Sequence, residues 1–128
     1  SLNTSLQNRQ ADSWGSDLDS GFIDIYTGAQ PAANTAPTGT LLVSCALDAD
    51  AFSAAAAGVA SKNGTIVVTA GNTGTAGYGQ VRNAGNTRWM YCSVTASGGG
   101  GAIELDDISI NTNDVVTITA ATITQPAS

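Results

Sequence analysis

Residues 40–47 read Thr-Leu-Leu-Val-Ser-Cys-Ala-Leu, and this stretch decides the fold class. In an extended chain, alternate side chains lie on the same face, so one face of this stretch carries four apolar residues: Leu41, Val43, Cys45 and Leu47. A period of two is typical of a strand with one buried face and one face in water. The stretch therefore predicts a core strand of an antiparallel sheet.

Segments of the same kind recur from Gly21 to the end of the chain, separated by turn residues. The Asn63-Gly64 pair predicts a hairpin turn, because both residues tolerate positive φ. The glycines in residues 70–77 predict a loop. We predict strands at Phe22–Tyr26, Thr40–Leu47, Val59–Ser61, Thr65–Thr69, Tyr78–Arg82, Arg88–Ala96, Ala102–Asp106 and Val115–Thr124. About eight strands at this spacing predict an all-β domain, a two-sheet antiparallel sandwich of jelly-roll type.

The first twenty residues follow a different pattern, with apolar side chains at multiples of four: Leu2, Leu6, Trp14 and Leu18. This spacing predicts a short helix from about Leu2 to Ala11, followed by an irregular arm. The arm either packs on its own domain or docks on a neighbouring molecule. We therefore divide the chain into an N-terminal helix or arm, 1–20, and a β-sandwich domain, 21–128.

Charge and hydropathy exclude two classes of partner. The net charge is -6, and the four basic residues are scattered: Arg9, Lys62, Arg82 and Arg88. A protein that follows a phosphate backbone needs many clustered cations, so we expect no nucleic-acid partner. No apolar run approaches the roughly 18 residues of a membrane span, so we expect no membrane partner.

The residues offer little for catalysis. The chain has no histidine, which removes the usual general base and the usual metal ligand. Cys45 and Cys92 lie in core-facing positions, where they are either two buried thiols or one disulfide. Glu104 and Asp106 point away from the apolar side of their strand, as on a solvated face. We expect no enzyme activity, no cofactor and no metal.

Two further features have a structural interpretation. The glycines at 98–101 lack the lysine and the helix of a phosphate-binding loop, so they predict a hairpin connection. Trp89 and Tyr91 lie on the outer face of their strand. They suit a protein contact, or less well the stacking of a sugar.

The order of segments resembles small structural proteins of tailed bacteriophage virions, of the head decoration or cement type. The segments that carry the resemblance cover most of the chain: Gly21-Phe-Ile-Asp-Ile-Tyr-Thr-Gly28, Gln30-Pro-Ala32, Ala36-Pro-Thr-Gly-Thr-Leu-Leu42, Thr73-Gly-Thr-Ala-Gly-Tyr78, Arg82, Ala102-Ile-Glu-Leu-Asp106 and Val115-Val-Thr-Ile-Thr119. The chain departs from the pattern at Trp89, Met90 and Cys92. The resemblance implies a non-enzymatic protein, a homodimer or homotrimer assembled in the bacterial cytoplasm. It would bind the outer capsid surface and bridge major capsid protein subunits.

Three regions are the expected protein contacts: the arm Ser1–Asp19, the loop Gln30–Gly39 and the aromatic pair of Trp89 and Tyr91. Their candidate contact residues are Leu2, Leu6, Trp14, Pro31, Pro37, Trp89 and Tyr91. Two alternatives stay open. One is a tail, neck or fibre-associated phage β-domain, and the other is a carbohydrate-binding module that uses Trp89 and Tyr91.

Overall fold

A computed structural model describes residues 3–32, 35–87 and 89–124. The predicted contact residue Leu2 and the predicted strand start Arg88 lie outside the described residues. The described chain forms one helix and nine strands: α1 (Thr4–Asp17), β1 (Phe22–Thr27), β2 (Leu41–Ala46), β3 (Val59–Ser61), β4 (Ile66–Thr69), β5 (Gly74–Arg82), β6 (Trp89–Ala96), β7 (Ile103–Leu105), β8 (Ser109–Ile110) and β9 (Val115–Thr124). The prediction of a mostly β protein with an N-terminal helix is confirmed.

The strands form one curled, mixed sheet in the order β2-β1-β5-β6-β7-β9-β3, with β4 also paired to β9 and β8 to β5. The two ends of the sheet approach one another, since Gly71 N–H donates to Leu42 O at 3.0 Å. The predicted two-sheet jelly-roll sandwich is not confirmed.

One strand pair corrects the antiparallel prediction. Strands β6 and β7 run parallel, and residues 97–102 connect them, so the predicted hairpin at the glycines is wrong. Gly98 and Gly100 have φ values of 85° and 84°, which glycine adopts without a steric penalty. These glycines let the chain reverse twice within a short connection.

Strand β2 corrects one residue of the predicted core face. Val43, Cys45 and Leu47 are buried as predicted, whereas Leu41 is exposed and Leu42 is buried. The register of β2 against β1 shifts between Ile25 and Tyr26, so the alternation of faces changes there. A bulge of this kind depends on the partner strand and leaves no mark on the apolar pattern.

The predicted Asn63-Gly64 hairpin is also wrong. Strands β3 and β4 do not pair with each other, because both run antiparallel to β9, one after the other. The tight turn lies earlier, at Ala57 and Gly58, whose φ values are 52° and 78°. It joins a bridge between Ala56 and Val59. Asn63 instead donates its N–H to Ala51 O at 2.9 Å, which ties the loop before β3 to the sheet.

Strand β5 begins four residues before its predicted start, inside the predicted glycine loop. A Cβ atom on Gly77 would overlap the carbonyl oxygen of Gly28, and one on Gly79 would lie 2.7 Å from Cδ1 of Ile103. These glycines therefore serve close packing within a strand, where glycine marks the near approach of another backbone or side chain.

Helix α1 is longer than predicted and packs on its own domain. Asn3 caps it, because Leu6 N–H donates to Asn3 Oδ1 at 3.0 Å. Its buried face consists of Ala11 and Gly15, with Leu18 just beyond the last turn, and Gly15 lies against Phe52. The helix is neither long nor apolar enough to cross a membrane.

Candidate functional site

The outer face of β1, β5 and β6 carries a cluster of aromatic rings. The rings of Tyr26 and Tyr78 stack with centroids 5.3 Å apart, and Tyr91 meets Tyr78 edge-on at 5.4 Å. Trp89 lies 5.1 Å from Tyr91. Such arrangements suit the ring quadrupole and stabilise a packed pair beyond simple burial.

The described residues of the loop between β1 and β2, 30–32 and 35–39, are called the proline loop here, and hydroxyl groups hold this loop over the cluster. Thr38 N–H donates to the Tyr78 hydroxyl at 3.0 Å, and that hydroxyl donates to Thr38 O at 2.5 Å. The Tyr91 hydroxyl donates to Thr35 O at 2.6 Å. Because the loop lies over the sheet, Tyr78 is fully buried on the face that the alternation assigns to solvent.

Beside the cluster lies an ion pair with a buried carboxylate. Asp24 is 4% exposed, and its carboxylate accepts from Arg82 Nε at 2.7 Å and from Ser44 Oγ at 2.5 Å. The Arg82 guanidinium also lies 4.3 Å above the Phe22 ring, a cation–π contact. Gln80, 6% exposed, occupies the facing position on β5. The Asp24 carboxylate thus has a charged and a neutral donor, which is the condition for keeping it out of water, while the Arg82 side chain stays 23% exposed.

The ion pair forms the floor of an open groove of about 430 Å³, which we call the ion-pair groove. It is lined by Asp24, Tyr26, Pro37, Leu41, Ser44, Gln80, Arg82, Asn86 and Trp89. Burial raises the pKa of Tyr26, and the Asp24 carboxylate raises it further. Tyr26 therefore keeps its proton at neutral pH. The groove combines aromatic walls with planar polar groups, the composition of a site for a small polar ligand.

A second groove, of about 480 Å³, opens between β6 and β9, and we call it the β6–β9 slot. Its lining contains no charged residue: Trp14, Gln30, Met90, Tyr91, Cys92, Ser93, Ala102, Thr122, Ile123 and Thr124. Three segments far apart in sequence meet there, namely α1, the start of the proline loop and β6.

The slot exists because β7 is too short for its neighbours. Strand β7 has three residues, whereas β6 has eight and β9 has ten. It pairs with Val94–Ala96 of β6. On the β7 side of β6, residues 89–93 have no ladder partner among the described residues. Where β7 lies between them, β6 and β9 are two strand spacings apart, about 10 Å, and the slot continues that gap beyond the start of β7.

The predicted contact residues fall into two groups in the structure. Trp14 (42% exposed) and Tyr91 come together at the β6–β9 slot, and Pro37 and Trp89 come together at the ion-pair groove. Leu6, 43% exposed on α1, and Pro31, next to Gln30 of the slot, line neither groove.

Sequence reasoning missed the ion pair and the residues around it. The available signal was Asp24, a charged residue between Ile23 and Ile25 in the first predicted strand. Alternation places Asp24 on the face of the strand expected to be in water, where a charged side chain is ordinary. The covering loop and its partner Arg82, 58 positions away, became visible only in the structure.

The two cysteines are free thiols rather than a disulfide. Burial raises the pKa of Cys45 to about 12, with a further contribution from Asp24, and burial raises that of Cys92 to about 11. Since the thiolate is the reactive form, both groups are poor nucleophiles at neutral pH.

The carboxylates of Glu104 and Asp106 accept hydrogen bonds from backbone N–H groups. Glu104 is half-buried, and its two oxygens accept from the N–H groups of Gly98 and Gly100, each at 3.1 Å. The glycine loop thus already holds an anion supplied by the chain. Asp106 accepts from Thr117 N–H at 3.1 Å. Among the described residues, no group of three cysteine, aspartate or glutamate side chains is arranged to hold a metal ion.

Comparison of the chain with protein-family models, with curated proteins and with solved structures found no match.

Proposed function

We propose that this protein is a structural component of a phage virion, a decoration protein on the outer capsid surface. One observation carries the proposal: Trp14, Gln30 and Tyr91, from three separate segments with expected contacts, line one uncharged groove, the β6–β9 slot. Half-exposed aromatic side chains around an uncharged centre are typical of protein interfaces. The order of sequence segments supports the same function.

The composition suits repeated contacts on a lattice. Only 11% of residues are charged, so threonine, serine, asparagine and glycine dominate the surface. Hydroxyl and amide groups tolerate an interface with bridging water molecules. A homodimer or homotrimer that touches several capsid protein subunits at once multiplies weak individual contacts through effective concentration. In this proposal the protein assembles in the bacterial cytoplasm and bridges major capsid protein subunits.

The experiment is co-sedimentation of the purified protein with expanded phage heads, with unassembled capsid protein and with isolated tails. We expect binding to expanded heads alone, because only the assembled lattice presents several subunits in register. Binding to tails alone would favour the tail or fibre alternative. Equal binding to heads and free capsid protein, or no binding, would contradict the proposal.

A matched pair of variants tests whether the slot is the contact. Trp14→Ser removes the exposed ring at the slot, and we expect head binding to weaken at least tenfold, as for an interface hot spot. Val115→Ser is the control, because Val115 is 61% exposed and lies outside both grooves. We expect the control to bind heads as the unaltered protein does.

A second candidate function, saccharide binding, is favoured by the ion-pair groove. A pyranose ring has an apolar C–H face and a rim of hydroxyl groups. Trp89 and Tyr26 offer aromatic faces, while Asp24, Gln80 and Arg82 offer planar donors and acceptors at the floor. The sequence predicted that a sugar would stack on Trp89 and Tyr91. The proposed site is instead the ion-pair groove beside them, because the Tyr91 hydroxyl already bonds to the proline loop.

A glycan array followed by NMR titration tests this candidate. Bound sugar should shift the indole signal of Trp89 and leave that of Trp14 unchanged, because the two rings line different grooves. Trp89→Ala should abolish the hits. An array without hits, or hits that survive Trp89→Ala, removes the candidate.

A further inference from the structure

The β6 wall of the slot presents backbone groups that point into it. Ser97 N–H donates to Leu105 O at 2.9 Å, so the backbone of Ser97 faces the β7 side. Successive residues of a strand alternate the side to which their N–H and C=O groups point. The register of β6 against β5 and β7 is continuous, so the same side receives the backbone groups of Ser93, Tyr91 and Trp89. At Tyr91 that side is the open slot.

The β9 wall faces it with matching groups. Thr122 N–H donates to Ala102 O at 3.0 Å, toward β7. Thr124, two residues further along an uninterrupted register with β3, therefore points its N–H and C=O into the slot. Across β7, Val94 of β6 lies in line with Ala121 of β9, because both pair with Ile103. Strands β6 and β9 run in opposite directions. Three positions further toward the slot, Tyr91 therefore lies opposite Thr124.

Two strand edges with backbone groups unpaired among the described residues face each other across the width of one strand. An extended peptide can form hydrogen bonds to both edges at once. We infer that the β6–β9 slot accepts an extended, uncharged segment of the capsid protein, which lies in line with β7 as an added strand. Main-chain hydrogen bonds to both walls provide affinity, as in other cases of strand addition. Trp14, Met90 and Cys92 line the slot, so we expect an apolar side chain at alternate positions of the segment.

A second copy of this chain is a poor source of this strand. All nine described strands already pair within the sheet, so a second copy would have to break its own pairing to donate one. A segment of another protein avoids this cost.

This inference rests on the proposed function, and a single-residue pair tests it on the full chain with expanded heads. Thr124→Pro removes the N–H that points into the slot and adds a ring there, while the N–H bonds toward β3 stay intact. Thr124→Ala is the matched control, because it loses the same hydroxyl and keeps the N–H. We expect Thr124→Pro to bind heads about tenfold more weakly, as for one lost hydrogen bond, and Thr124→Ala to bind within twofold of the unaltered protein.

Amide hydrogen exchange gives a second readout that does not depend on a variant. On binding to heads, exchange at the Tyr91 amide should slow at least tenfold, because the added strand would accept its hydrogen bond. The Met90 amide is the internal reference, since it points toward Val81 on β5 and should not change.

The outcomes separate the two ideas. Head binding with unchanged Tyr91 exchange, or with equal affinity for the two Thr124 variants, overturns strand addition and leaves the decoration function standing. Failure of the unaltered protein to bind heads overturns both. Self-association in sedimentation velocity that Thr124→Pro abolishes would identify a second copy as the occupant and overturn the capsid segment.

Discussion

The two halves of the sheet are built differently. Strands β2, β1, β5 and β6 pair along most of their lengths, and the proline loop covers their outer face. In the other half, β7 has three residues, and β3 and β4 share the long strand β9. The first half holds the ion pair and its covering loop, whereas the boundary with the second leaves backbone groups of β6 and β9 without a ladder partner among the described residues. The difference teaches that the uncharged slot arises where strand pairing is incomplete, whereas the ion-pair groove lies on a fully paired face. We expect that paired half to supply rigidity.

The largest expected effect tests that rigidity at Tyr78, the largest fully buried side chain. Tyr78→Ala should lower the free energy of unfolding by about 3–5 kcal/mol, because it empties the space between Tyr26, Tyr91 and the proline loop. Urea denaturation measures this change. Tyr78→Phe keeps the ring and loses only the bonds to Thr38, so we expect about 1–2 kcal/mol. Equal costs for both variants would show that loop tethering, rather than ring packing, holds this half.

The next effect tests the close packing of β5. Gly77→Ala places a methyl group against the backbone of Gly28, which cannot move as a side chain can. We expect a loss of about 2–3 kcal/mol in the free energy of unfolding. Gly71→Ala is the control, since a Cβ atom there meets nothing within 4 Å, and it should change stability by less than about 0.5 kcal/mol. Similar costs at both positions would contradict the packing role of Gly77.

A pH-dependent effect tests how dry the core of the paired half is. The pKa of Cys45 is about 12 in the folded protein and 9.0 without burial, so the folded state holds the proton more tightly. The stabilisation is complete below pH 9 and declines as pH rises toward 12. Between pH 9 and about pH 10.5, the unfolding free energy of the unaltered protein should fall about 1.5 kcal/mol more than that of Cys45→Ala. Parallel pH profiles of the two proteins would show that water reaches Cys45.

The smallest expected effect lies in the interrupted half, at the turn before β3. Ala57 has a φ of 52°, a region that costs alanine about 1 kcal/mol and asparagine less. Ala57→Asn should therefore raise the free energy of unfolding by about 0.5–1 kcal/mol. Ala54→Asn, in the same loop without positive φ, should leave stability unchanged. A destabilised Ala57→Asn variant would show that the turn is not the one described.

Sequence reasoning recovered the elements better than their connections. The apolar alternation identified the β class, the first strand and the core positions Val43, Cys45 and Leu47. The Asn63-Gly64 pair predicted a hairpin that is not there. A turn signal shows where a chain can reverse, and it does not show whether the flanking strands pair. The sequence predicts Trp14 and Tyr91 as contact residues, yet nothing in it indicates that they share one slot.

What the sequence alone determined is local: periods of two, a short N-terminal helix, the absence of histidine and the scarcity of charge. These follow from side-chain chemistry and backbone geometry within a few residues. What only the tertiary structure decided is the curl of the sheet, the parallel β6–β7 pair, the burial of Asp24 beside Arg82 and the open β6–β9 slot. Each depends on contacts between residues tens of positions apart, whose pairing is selected by the packing of the whole domain.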